Sequence, residues 1–121
     1  MTWWGEYIGL PFERAHCWGL VRLVYADRLG IVLPEYGEIS AADLVRVARA
    51  IDTGQAAWQR VSDPQALDVA LMRGRSRVWH VGVMTDARHV LHTEQATGAV
   101  RVRVDSPAMI GRITGYRRYA A

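Results

Sequence analysis

Cys17 is the single cysteine in 121 residues, and the side chains best suited to act on it are the four histidines His16, His80, His89 and His92. A thiol attacks as its thiolate, so it needs a base to take its proton and a third group to hold that base. His80 lies within Val78-Trp-His-Val-Gly-Val-Met84, where strand alternation puts His80, Gly82 and Met84 on one face. The bare Gly82 beside His80 leaves room there for an approaching group. His92 follows a short turn at Thr85 to Arg88, so a hairpin can set the two imidazoles near each other. The chemistry in view is a Cys-His-His thiol site. Taken singly, Cys17 reads as a small buried apolar residue and each histidine as a satisfied structural one. One cysteine excludes an internal disulfide and a thiolate metal cluster. His80 and His92 offer two metal ligands, but Asp86 and Glu94 lie in or beside turns without ligand spacing, so no metal and no cofactor is expected.

These residues need elements to hold them. From Cys17 the apolar residues Leu20, Val21 and Val24 recur at helical spacing, and Gly30 then Pro34 mark the stop. Cys17 thus falls in the first turn, where unpaired N–H groups and the helix dipole lower a thiol's pKa. Tyr7-Ile-Gly-Leu-Pro-Phe12 reads as a loop leading in. Ser40-Ala-Ala-Asp43 opens a second helix carrying Leu44, Val47, Ala48 and Ile51, closed by Asp52-Thr-Gly54. Trp58 to Pro64 shows no clear period. Then come short strands at Leu67 to Met72, Val78 to Met84, Val90 to His92, Ala99 to Val104 and Ile113 to Tyr119. Their short connections call for antiparallel neighbours. Arg101 and Arg103 alternate with valines and are assigned to a solvent face, and His89 to the surface. The expected architecture is α+β, with N-terminal helices on an antiparallel meander, in one domain over residues 1–121.

The longest stretch free of Asp, Glu, Lys and Arg is the eight residues Val78 to Thr85, far short of the ~20 that span a membrane. Half the residues are apolar, which excludes a disordered chain. All fifteen basic residues are arginine and the formal charge is +3, a composition that fits a GC-rich genome better than a nucleic-acid surface. No signal peptide is read at the N-terminus. Trp3 and Trp4, with Trp18 beyond, are readable either as a substrate groove or as core anchors. His16 is readable as a loop residue, a poor cap or a cation favouring the thiolate.

In combination these motifs resemble the NlpC family of papain-like cell-wall cysteine peptidases. Cys17-Trp-Gly-Leu-Val21 is similar to that family's Asp-Cys-Ser-Gly-Leu-Val, His80 to Val83 to its His-Val-Gly-Ile, and His92 stands where its third polar residue follows. Leu67-Asp-Val-Ala-Leu71 resembles its Gly-Asp-Leu-Val strand, with the glycine replaced. The resemblance implies a papain-like NlpC fold with Cys17 as nucleophile, His80 as base and His92 orienting it. It also implies Tyr7 near the nucleophile or oxyanion, and Trp18 at the substrate in place of the family's serine. The implied substrate is a peptidoglycan stem peptide. Tyr7 to Phe12 and Cys17 to Val21 further resemble small domains encoded among phage tail genes. That implies a virion location at the tail or tail tip, with other tail proteins as partners, no nucleic acid and no membrane insertion. The alternative is a catalytically dormant structural module of the tail tip.

Overall fold

In the computed structural model, residues 3–33, 58–73 and 79–119 are described. The expected second helix, from Ser40, lies outside them, as does Val78. One 3₁₀ turn, Gly5–Tyr7, leads through Pro11 into α1, Phe12–Leu29. Leu20, Val21, Val24 and Tyr25 form the buried stripe of α1, as their spacing predicts. Gly30 ends it in the left-handed region at φ 65°, with its N–H donating to the Ala26 carbonyl and the Ile31 N–H to that of Tyr25. The helix is broken at His16, whose φ of 56° and ψ of −178° are not helical. The long segment therefore starts afresh at Cys17.

Among the described residues six strands follow: β1 Trp58–Val61, β2 Val69–Arg73, β3 Trp79–Met84, β4 His89–Glu94, β5 Gly98–Arg103 and β6 Ile113–Tyr119. They form one antiparallel sheet in the order β1-β6-β2-β3-β4-β5. The meander runs from β2 to β5. The last strand departs from it, crossing back to pair with β2, while β1 emerges from the segment without a clear period and pairs with β6. Alternation along a strand fixes which face is buried but not which strand is the neighbour.

Alternation also explains why β2 is buried on both faces. Val69, Leu71, Val81, Val83 and Leu91 meet α1 through Leu20, Val21 and Val24, whereas Ala70, Met72, Met84, Val90 and Met109 form a second core. Gly82 belongs to that second face, and its space is taken: a Cβ there would meet Val90 Cγ2 at 2.7 Å and the Leu91 carbonyl at 2.9 Å. The room expected beside His80 is thus filled by the core. Arg101 also departs from its assignment. It is half-buried, stacked 4.3 Å from the Trp4 ring centroid and paired with Asp86 at 2.7 Å, while Arg103 is exposed as expected. His89 is half-buried, with its Nδ1 3.0 Å from Asp86 Oδ1.

Asp68, just before β2, is buried and accepts two bonds of 2.9 Å from Arg118 of β6 and one of 2.8 Å from the Gln65 N–H. Leu67 beside it has φ 75°, a left-handed conformation that costs a leucine about 1–2 kcal/mol. This is where the family motif places glycine, which explains that glycine in backbone terms.

Candidate functional site

The break at His16 gives Cys17 a fresh helix start. Backbone N–H groups meet the sulfur there: those of Cys17 itself, of Trp18 and of Val81 in β3 all favour the thiolate. Val81 follows His80 directly, so this contact joins the helix start to the histidine-bearing end of β3. The pairing of β3 with β4 is found at Met84–Val90 and Val83–Leu91 and goes no further toward His80. Strand parity sets His92 on the same sheet face as Val90, and His80 on that of Met84, so the two imidazoles meet where the ladder stops. His80 Nε2 lies 3.0 Å from His92 Nδ1, with the rings edge to face at 82°.

Burial dominates the electrostatics. It pushes the Cys17 thiol up to about 11, outweighing the three N–H groups that favour the anion. The lowered thiol pKa expected from the helix start is therefore overturned, because Cys17 is only 2% exposed. Burial, with the charges of His92 and Arg112, pushes His80 down to about 4 against the opposing pull of Glu94. His92 is also lowered, chiefly by burial. At rest the thiol and both imidazoles are neutral.

Two residues assigned to the site lie elsewhere. The Tyr7 hydroxyl donates to Asp27 Oδ2 at 2.8 Å. Asp27 is ten residues beyond Cys17, about 15 Å along the helix axis, so this hydroxyl serves the far end of α1 and not an oxyanion. The Trp18 side chain is buried in the core under α1, leaving only its backbone N–H to the sulfur. Trp3 and Trp4 are half-buried anchors against the same core, stacked on Arg28 and Arg101. His16 lies edge to face with Phe12, at a ring separation of 4.8 Å, and its contribution is the broken backbone.

Glu94 and Arg112 complete the cluster, and their part in it is not evident from the sequence. Glu94 ends β4 on the same face as His92, so parity was the available signal, although the residue reads as part of the turn. Its Oε1 lies 3.9 Å from His92 Nδ1 and 3.1 Å from Arg112 Nη2. The ligand atoms of His80, His92 and Glu94 lie within 4.8 Å of one another, close enough to share a cation. The Arg112 guanidinium already supplies positive charge at that carboxylate, and the group is a charge network in this structure.

The fold and site define a class: an α+β architecture in which a cysteine at a helix start faces an antiparallel sheet bearing a histidine pair. The NlpC/P60 family matches residues 4–118, and the chain belongs to that family. Among solved structures, a Staphylococcus aureus protein described as similar to a lipoprotein of the NLP/P60 family aligns with 96% of this chain at 23% identity and a TM-score of 0.62. The chain spans 38% of that protein's length, and the likeness establishes a shared α+β fold. No curated protein matches the chain.

Proposed function

We propose that this protein is a thiol hydrolase of peptidoglycan stem peptides, with Cys17 as nucleophile, His80 as general base and His92 as its orienting partner. The observation that carries the reading is the His80–His92 bond of 3.0 Å beside a cysteine whose sulfur meets the N–H of the residue after His80. His92 occupies Nε2 of His80, so Nδ1 is the nitrogen left to take the Cys17 proton. The sulfur attacks the peptide carbonyl, and the oxyanion draws on N–H groups at the helix start. The amine leaves with the proton from His80, and water then hydrolyses the thioester. NlpC/P60 membership supports hydrolase chemistry on peptidoglycan. Delivery at a phage tail or tail tip, among other tail proteins, rests on the wording of Tyr7 to Phe12 and Cys17 to Val21. Purified protein incubated with muropeptides is expected to yield stem-peptide fragments that disappear in Cys17→Ala. Absence of cleavage by the unaltered protein overturns the proposal.

A second reading, a dormant tail-tip assembly module, is favoured by the 2% exposure of Cys17. It predicts that Cys17→Ala supports infectious, fully assembled particles as well as the unaltered chain does.

A further inference from the structure

An imidazole that takes a proton from a thiol becomes a cation, and a buried cation needs a counter-charge. Where the third member of such a site is an aspartate, that residue supplies one. His92 is neutral at rest and offers only a dipole. The carboxylate that acts on His80 among the described residues is Glu94, at 3.9 Å from His92 Nδ1 and within 4.8 Å of a ring nitrogen of His80. Glu94 is held in turn. Arg112 reaches it through Nη2 at 3.1 Å, while its Nε donates to the Arg73 carbonyl at the end of β2 and its Nη1 to that of Ala108. One guanidinium thus brackets β2, the turn before β6 and the end of β4 around a single carboxylate.

We propose that Glu94, fixed by Arg112, is a positioning residue that supplies the counter-charge for the His80 imidazolium through His92. The inference rests on the thiol-hydrolase reading. The proton moves from Cys17 Sγ to His80 Nδ1, leaving a thiolate and an imidazolium, and no further reactant is required. The cluster carries one negative and one positive charge at rest, Glu94 and Arg112, and the imidazolium adds a second positive charge. The charged and titratable groups that act on His80 are His92 and Glu94 from β4 and Arg112 from the turn before β6. Glu94 favours the His80 cation and Arg112 opposes it.

The two charges therefore act with opposite sign, and the test uses both. Imidazole NMR titration of Glu94→Gln is expected to move His80 to lower pH by about one unit, and that of Arg112→Gln to move it upward by a similar amount. The acid limb of kcat/KM on muropeptides should follow each shift, and Glu94→Asp should restore most of it. An unchanged titration in Glu94→Gln, or shifts of the same sign in both variants, overturns the proposal. The titration is read without turnover. Loss of the hydrolase reading, shown by uncleaved muropeptides, is thereby distinguished from loss of the counter-charge, shown by the NMR shifts.

Discussion

His80 and His92 share one hydrogen bond of 3.0 Å inside a buried site, so protonating either ring places a charge where water is scarce. Burial holds the rings neutral in the native state, whereas the unfolded chain leaves them free to charge.

The consequence is a defined loss of stability in acid. The native His80 pKa of about 4 lies below the ordinary value of 6.5, so the unfolded state binds more protons between those two. Stability contributed by His80 is present in full above pH 6.5 and is lost progressively as pH falls to 4. The loss amounts to at most about 3 kcal/mol. Urea unfolding at pH 7 and pH 4.5 measures it, and His80→Asn should show a correspondingly shallower dependence on pH.

Cys17 should react slowly for a lone thiol. With its pKa pushed up to about 11, its thiolate fraction at pH 7.5 falls short of an ordinary cysteine's by roughly a hundredfold or more. Alkylation by iodoacetamide, followed by mass spectrometry, is expected to lag behind that of glutathione by at least that factor and to quicken with pH. Equal rates at pH 7.5 would refute the neutral resting thiol.

The backbone at His16 stores strain, since φ 56° with ψ −178° is a region nearly exclusive to glycine. His16→Gly should raise stability by about 1 kcal/mol in chemical denaturation, because it relieves that strain at the modest cost of the Phe12 contact. A destabilised variant would mean that the ring contributes more than the backbone costs.

The sequence carried the site's spine because its signals are local. Cys17 stands ahead of a helical stripe, His80 in a strand of clear parity, and His92 one hairpin away. What escaped depends on contacts between distant segments. Glu94 reads as a turn residue until β4 is seen to include it, and Arg112 arrives from beyond β5. Tyr7 and Trp18 were assigned to the site by resemblance, yet the hydroxyl of Tyr7 belongs to Asp27 and the ring of Trp18 to the core. Gly82 read as open space because its filling, Val90 and Met72, comes from the neighbouring strands. The return of β6 to β2 was equally hidden, since alternation carries no address for a partner strand.

That return sets an order of assembly. The strand Ile113–Tyr119 separates β1 from β2, and Arg118 is the partner of the buried Asp68 fifty residues earlier. A ribosome-bound chain that has emerged only as far as β5 can form the hairpins that bring His80 to His92. It cannot yet close the sheet or neutralise Asp68. Completion of the sheet waits on β6, so its slowest contacts are those of longest sequence separation.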